Sequence, residues 1–301
     1  MTTNKVIGIR GSGCYFPKEK VDVESIAKKY NLDFTKLLSN QGVLTVHLAS
    51  ATETELYMSI KAAQEAIEDS KLKAQQIDLV IYCRGLTKTQ YSRSVSSQII
   101  EKLNIKNAYG FDLEGGLLGG LLSIRVATDI LRNSFQVKNA LIVAAQEFDQ
   151  LYLFNEAKSR VGNMVFGDGA AAIVISKDIS NNTILSSDFV IDHYTNYIDE
   201  ALSRNKREPG LVSSVLTFTK MDTFLDSKNF EKLTDRWVMN TIKVIESCIK
   251  SINLDVSDIN HFVKTQLSKK ETQIIAEKLK INTETIYTTT QHCGHLGHVD
   301  I

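Results

Sequence analysis

The sequence predicts an α/β protein, and three observations lead to that class. Short apolar runs alternate along the chain with longer segments in which apolar residues recur at helical spacing. The 301 residues are 43% hydrophobic and 23% charged, which is enough apolar material for a large core. The only prolines are Pro17 and Pro209, and no stretch rich in Ser, Gly or Pro marks a flexible linker. We therefore expect one continuous, closely packed α/β chain.

The first predicted elements form a strand, helix and strand. Residues 5–11 and 78–83 are short apolar runs of strand length. Between them, residues 55–70 place Met58 and Ala62 on one face of a helix. This order is typical of a sheet whose strands are joined by helical crossovers.

The same alternation continues through the middle of the chain. Helical patterns cover 94–103 and 121–131, and a glycine-rich segment precedes the second of these helices. Apolar runs at 139–145 and 170–176 predict two further strands.

The second half repeats the theme in a looser form. We predict strands near 183–191, over 261–264 and over 285–288. Helical periodicity predicts a long helix over about 229–251 and a shorter one over 271–279.

Charge and targeting signals exclude several kinds of partner. The 35 Lys and Arg balance the 35 Asp and Glu, so no global field draws the chain to nucleic acid or to an anionic membrane. The N-terminus lacks the apolar core of a signal peptide, and no run of about 18 apolar residues occurs, so we expect a cytoplasmic protein. The widely spaced cysteines form no CxxC pair, and we interpret them as reduced thiols: Cys14, Cys83, Cys248 and Cys293.

Four short motifs, in order along the chain, carry a family resemblance. They are GSGCYFP at 11–17, FDLEGGLLGG at 111–120, FGDGAAA at 166–172 and GHLGHVD at 294–300. Taken alone, the Gly-Asp-Gly of the third motif is an ordinary tight turn. In this order, the four motifs resemble β-ketoacyl-ACP synthase III and its relatives in the thiolase fold, over nearly the whole chain.

This resemblance implies a thiolase-like fold of two related α/β halves packed together, over 1–176 and 177–301. It also implies acyl-CoA or acyl carrier protein as the substrate, no bound cofactor, and a homodimer or a heterodimer with a related ketoacyl synthase. Proteins of this family continue beyond the fourth motif, whereas the present sequence stops at Ile301. We therefore expect the second half to be incomplete and to lack the last C-terminal strands, through truncation or because a partner chain completes the fold.

The position that matches the family's nucleophile is Leu117. In the family, a cysteine stands there at the start of a buried helix, where the helix dipole favours the thiolate. A leucine side chain cannot attack a thioester, and the stretch 112–122 contains no Cys, Ser or Thr. Covalent acyl transfer through this position is therefore excluded.

The other two catalytic positions of the condensing pattern also differ. Thr265, in Lys-Thr-Gln, matches the family's histidine and cannot act as its acid or base. His295 matches an asparagine, and the ending Gly-His-x-Gly-x-x-Asp resembles an acyltransferase branch that transfers acyl groups to oxygen or nitrogen. By that resemblance, His295 is the candidate general base and Asp300 orients it.

Several other side chains allow alternative interpretations. His292, His295 and His298 suggest a metal site, but the loop is broken by glycines and no further ligand set completes it, so we expect no metal. Cys83 and Cys293 are possible displaced nucleophiles, although a lone cysteine is more often a small buried apolar residue.

Two charged features are also open to more than one interpretation. Glu114 fits a carboxylate at a helix start better than a buried acid. The basic run at 203–207 fits a solvated loop better than a docking site for a phosphopantetheine carrier or for coenzyme A phosphate.

Three functions follow from this pattern. The first is an acyltransferase-family protein that binds acyl-CoA or acyl-ACP in fatty-acid-like or secondary-metabolite biosynthesis. The second is a catalytically inactive subunit that supports an active condensing enzyme. The third is a decaying truncated gene product, which predicts poor folding.

Overall fold

A computed structural model describes residues 6–85, 94–148, 165–190, 192, 227–266 and 268–300. The strands are β1 (Ile7–Tyr15), β2 (Glu19–Asp22), β3 (Thr45–Leu48), β4 (Leu79–Arg84), β5 (Tyr109–Glu114), β6 (Asn139–Gln146), β7 (Gly169–Lys177), β8 (Phe262–Val263) and β9 (Ile286–Tyr287). The helices are α1 (Val23–Lys29), α2 (Phe34–Gln41), α3 (Glu55–Asp69), α4 (Val95–Lys102), α5 (Gly119–Asn133), α6 (Ser227–Lys250), α7 (Lys269–Leu279) and α8 (Thr290–Cys293). Two short 3-10 turns matter for the site, Gly116–Leu118 and Gly297–Val299.

A five-stranded mixed sheet forms the centre, in the order β1-β7-β6-β4-β5. Strand β4 runs parallel to both β5 and β6, whereas β7 is antiparallel to β1 and β6. Strands β4 and β6 are almost entirely buried, as expected for strands that are covered on both faces. Because β4, β5 and β6 are parallel, their carboxyl ends meet at one edge of the sheet.

Helices cover both faces of this sheet. On one face, α3 buries Met58, Ala62 and Ala66 against β1, β6 and β7. The contact is close because β1 carries Gly13, where an added Cβ would lie 2.4 Å from the backbone oxygen of Ala62. On the other face, α5 packs against β4, β6 and β7. The start of α5 therefore lies near the carboxyl edge of the sheet.

The described part of the second half is smaller. Helices α6 and α7 bury Val238, Ile242, Ile275 and Leu279 against each other, and β8 pairs in parallel with β9. Among the described residues this half has only that two-stranded sheet. The boundary between 176 and 177 stays a prediction; strand β7 itself ends at Lys177.

Most of the predicted elements are present, and one is wrong. The strand expected near 183–191 is replaced, over 183–190, by a single isolated bridge between Gly8 and Thr183. Ile184 packs against the core, but Leu185, Phe189 and Val190 are exposed, so the apolar pattern there does not report a buried strand. The basic run at 203–207 lies outside the described residues.

Six observed elements were not predicted. They are β2, β3, β5, α1, α2 and the one-turn helix α8. Strand β5 was read as part of the glycine-rich segment, because Gly110, Asp112 and Glu114 interrupt its apolar residues. It forms nevertheless, since β4 supplies a parallel partner along its whole length. No helix in the described segments is long and apolar enough to cross a membrane.

Candidate active site

The candidate site lies at the carboxyl edge of the central sheet. Strands β4 and β6 end there at Arg84 and Gln146. The turn Gly297–Val299 packs against β6 and also against the turn Gly116–Leu118, which leads into α5. The fold thus brings together the second and fourth sequence motifs, which are far apart along the chain.

His295 and Asp300 are in direct contact and both are buried. The imidazole Nδ1 meets the carboxylate Oδ2. The backbone N–H of Gln266 donates to the same oxygen at 2.9 Å, and the N–H of Leu296 donates to Oδ1 at 2.7 Å. A carboxylate that accepts hydrogen bonds from two backbone N–H groups and from the ring orients the imidazole with its proton on Nδ1. The Nε2 lone pair is then available as a base.

The loop that carries His295 is anchored by main-chain bonds to the first half. The His295 N–H donates to the Val165 carbonyl at 2.9 Å, and the Gly167 N–H donates to the His295 carbonyl at 3.1 Å. Gly294 has a φ of +68°, and a Cβ there would lie 2.8 Å from the Val165 oxygen. Only glycine fits this position without strain.

The contacts of the Gly-Asp-Gly motif at 167–169 hold this loop in place. Asp168 is buried and accepts the backbone N–H of Phe148 at 2.7 Å and that of Ala49 at 2.8 Å. A Cβ on Gly167 would lie 2.0 Å from the carbonyl oxygen of Cys293. The motif therefore clamps two loops and leaves room for the segment that carries His295.

Leu117 lies in the turn that precedes α5 and is partly buried. Helix α5 is 15 residues long, so its N-terminus retains the dipole that would favour an anion. The side chain of Leu117 has no polar atom to use it.

Thr265 is buried near the pair of His295 and Asp300. The described contact of this segment with the pair is made by the main chain of the next residue, Gln266, whose N–H donates to Asp300. The Gln266 side-chain oxygen accepts the hydroxyls of Thr288 and Thr290 at 2.6 and 2.7 Å. The Lys264 ammonium donates to the Thr265 carbonyl at 2.6 Å and to Glu271 at 2.5 Å. This network holds the Gln266 N–H against Asp300.

The two cysteines near the site are poorly suited to attack. Burial raises the pKa of Cys83 to about 12, although the nearby Ser123 hydroxyl acts in the opposite direction. Burial also raises the pKa of Cys293, only partly offset by the charge of Lys20. Both thiols are protonated near neutral pH, and the thiolate is the nucleophilic form.

Glu114 and the histidine cluster also take clear positions. Glu114 is exposed at the end of β5. His292 is exposed, whereas His295 and His298 are buried, so the three imidazoles do not converge. Within the described ranges, no group of three or more His, Cys, Asp or Glu side chains is placed to hold a metal ion.

His298 is also part of the site, although its sequence pattern suggested only a possible metal ligand. It is 2% exposed, and burial lowers its pKa to about 4, against weaker effects of the Cys83 and Ala145 backbone that raise it. Among the described residues, the Nε2 atoms of both His295 and His298 have no hydrogen-bond partner. The sequence signal was the recurrence of histidine three residues apart on one loop.

Comparisons with known proteins agree on one family. The model of the family 3-oxoacyl-[acyl-carrier-protein (ACP)] synthase III matches residues 111–192. The β-ketoacyl-[acyl-carrier-protein] synthase III of Clostridium acetobutylicum is 26% identical over an alignment of 303 positions, which covers 98% of this chain and 87% of that protein.

Solved structures show the same similarity in the fold. The 3-oxoacyl-[acyl-carrier-protein] synthase III of Aquifex aeolicus superposes with a TM-score of 0.78 at 20% identity, over 98% of this chain and 88% of that one. A variant of Xanthomonas campestris OleA, crystallised with bound lauric acid and lauroyl-CoA, gives 0.79 at 15% identity, over 100% and 90%.

Proposed function

We propose that this chain, which is similar to β-ketoacyl-ACP synthase III and has a thiolase-like fold, binds an acyl-CoA or acyl-ACP thioester as an acyltransferase. We place the reaction in fatty-acid-like or secondary-metabolite biosynthesis. The acyl group passes directly from sulfur to the oxygen or nitrogen of an acceptor, with no acyl-enzyme. The names of the relatives support the thioester substrate, and the bound lauroyl-CoA of OleA suggests a medium acyl chain as the first probe.

One observation carries the proposal: the buried pair of His295 and Asp300 beside the turn of Leu117. The carboxylate is fully hydrogen-bonded, and the imidazole Nε2 has no partner among the described residues. A general base needs this arrangement, in which one ring nitrogen is oriented and the other is available. Leu117 and Thr265 offer no covalent route.

The proposed reaction needs one base, which takes a proton from the acceptor and later returns it to the leaving group. His295 Nε2 takes the proton of the acceptor hydroxyl or amine as the oxygen or nitrogen attacks the thioester carbonyl carbon. The new C–O or C–N bond forms, the C–S bond breaks, and the leaving thiolate receives the proton from Nε2. Asp300 orients the ring and stabilises the imidazolium between the two proton transfers.

The second candidate is a catalytically inactive subunit of a heterodimer. It is favoured by the loss of chemistry at both Leu117 and Thr265, together with the raised pKa of the two nearby thiols. In that case the preserved site binds a thioester without reacting and supports an active ketoacyl synthase partner.

The first test measures CoA release from lauroyl-CoA with hydroxylamine as a small acceptor. We compare the native chain with His295→Gln and with His292→Gln, an exposed histidine of the same loop. We expect His295→Gln to slow release at least 100-fold, because it removes the base, and His292→Gln to leave it unchanged. Equal rates for all three proteins would exclude His295 as the base.

Intact-protein mass spectrometry with the same donor then separates the two candidates. We expect no acyl adduct on the native chain and an adduct on Leu117→Cys, whose thiol lies before the N-terminus of α5. An adduct on the native chain would contradict direct transfer. Labelling of Leu117→Cys without any CoA release by the native chain would favour the inactive subunit.

A further inference from the structure

The imidazole of His298 occupies a space that the fold keeps open for it. The ring lies over Gly85, where an added Cβ would be 2.0 Å from both Nδ1 and Cε1. An alanine at position 85 would therefore collide with the ring. Gly85 thus makes room for the buried imidazole next to the proposed catalytic pair.

The surroundings of the ring determine which nitrogen is available. The backbone carbonyls of Cys83 and Ala145 interact with the ring as hydrogen-bond acceptors. Since Nε2 has no partner among the described residues, these contacts belong to Nδ1, which therefore carries the proton. Nε2 is left as an unprotonated acceptor without a donor.

A buried acceptor without a donor is costly to the folded state. His298 lines a cavity of about 30 Å³, together with Gly120, Ala144, Ala171 and Val299. Among the described residues His298 is the only polar side chain in its wall. An ordered water needs about two to four polar partners, and this cavity offers one side chain. It therefore fits a donor group of a ligand, which other contacts hold in place, better than it fits a water.

We propose that His298 is a second substrate-contacting residue, whose Nε2 accepts a hydrogen bond from an N–H or O–H group of the bound substrate. This inference rests on the proposed function, because the substrate is the thioester donor or the acyl acceptor of that reaction. The lowered pKa of His298 supports the assignment, since the ring stays neutral and keeps its acceptor lone pair near neutral pH. His298 holds the substrate, and His295 moves the proton.

The test uses two variants of the full chain. His298→Phe keeps a planar ring of similar size but has no acceptor, whereas His298→Gln places a carbonyl oxygen near the position of Nε2. Thermal unfolding of both variants shows whether each is folded. If His298 has only a structural role, the variants lose stability. If it contacts the substrate, a variant that is as stable as the native chain binds the substrate more weakly.

Two measurements distinguish the two possible sources of the donor group. Calorimetric titration with the unreactive thioether analogue of lauroyl-CoA reports on the thioester arm. The KM for hydroxylamine in CoA release reports on the acceptor. We expect His298→Phe to weaken one of the two at least tenfold and His298→Gln to stay within about threefold of the native chain.

Each outcome bears on the inference. If folded His298→Phe leaves both values within twofold, the inference is wrong. If the native chain binds the thioether but releases no CoA, the proposed transfer is wrong and the thioether titration alone decides the role of His298. If the native chain does not bind the thioether, the proposed function and this inference are both overturned.

Discussion

At the scale of single residues, the site is distinguished by buried polar atoms that have no hydrogen-bond partner among the described residues. The buried carboxylates of Glu53 and Asp168 each accept several hydrogen bonds, mostly from backbone N–H groups. In the described part of the chain, the unpartnered buried side-chain atoms are two serine hydroxyls and the Nε2 atoms of His295 and His298. Folded proteins satisfy such atoms almost everywhere, and the two histidines belong to one short segment, which supports the substrate contacts proposed above.

A prediction about acid stability follows from His298. Burial lowers its pKa to about 4, and the unfolded value is near 6.5. The unfolded chain therefore binds the proton more readily, and the stability that is complete above pH 6.5 falls as the pH drops towards 4, by about 3 kcal/mol. Urea unfolding at pH 7.0, 5.5 and 4.5 measures this loss.

The matched comparison is His298→Gln, which cannot titrate. We expect its stability to change much less between pH 7.0 and 4.5 than that of the native chain. Glu53 contributes in a lower range. Burial alone would raise its pKa, but hydrogen bonds from Ser50 and Tyr15 outweigh that effect and lower it to about 2, so its contribution is lost only below about pH 4.5. Parallel curves for the two proteins down to pH 4.5 would refute the assignment to His298.

At the scale of elements, strongly periodic segments were predictable and short or polar ones were not. Helix α3 and strand β4 were predicted within two residues of their observed ends, because their burial follows the apolar pattern. Strand β5 and the short strands β2 and β3 were missed, since each depends on a partner strand that is not adjacent in the sequence. The strand expected near 183–191 failed for the converse reason, because its apolar residues find no ladder over 183–190.

The close contact of β1 with α3 gives a prediction about Gly13. In Gly13→Ala the new Cβ would lie 2.4 Å from both the Ala62 oxygen and the Ala66 nitrogen. Neither backbone atom can move without shifting the helix, so we expect a loss of about 3 kcal/mol in the free energy of unfolding. Ser12→Ala, at the exposed neighbouring position of β1, should change it by less than about 0.5 kcal/mol. Denaturant unfolding of the two variants tests this, and equal stabilities would show that the contact is not tight.

At the scale of the whole molecule, the site is composite. The C-terminal segment contributes His295 and Asp300, but its main chain is bonded to the first half at several points. The Leu44 N–H donates to the Gln291 carbonyl at 2.8 Å, and the Thr45 hydroxyl donates to the His292 carbonyl at 3.2 Å. The base and the turn of Leu117 are therefore held together by packing between segments that are far apart in the sequence.

Asp300→Asn should loosen this segment without unfolding the sheet. An amide in place of the carboxylate turns one of its two acceptor oxygens into a donor, which then faces an N–H group or the imidazole. We expect a loss of about 2 kcal/mol in stability and at least tenfold faster amide hydrogen exchange at Gln266, His295 and Leu296. Amides of β6 should keep their native exchange rates.

Asp178→Asn is the matched control for that experiment. Asp178 is exposed and has a φ of +59°, a conformation that asparagine tolerates well. Hydrogen exchange followed by mass spectrometry should show native protection of the C-terminal segment in this variant. Unchanged exchange in Asp300→Asn would mean that Asp300 does not hold the segment.

The sequence by itself determined the α/β class, the thiolase-like fold that the structural similarities confirm, and the absence of a nucleophile at Leu117. The class depends on local periodicity, the thiolase-like fold was implied by the resemblance of four motifs, and the missing nucleophile follows from the chemistry of one side chain. Only the tertiary structure decided that Gln266 holds Asp300 across 34 residues and that His298 is buried and neutral. The physical reason is that burial and desolvation are collective: they depend on which distant segments exclude water from a side chain, and no local pattern records that.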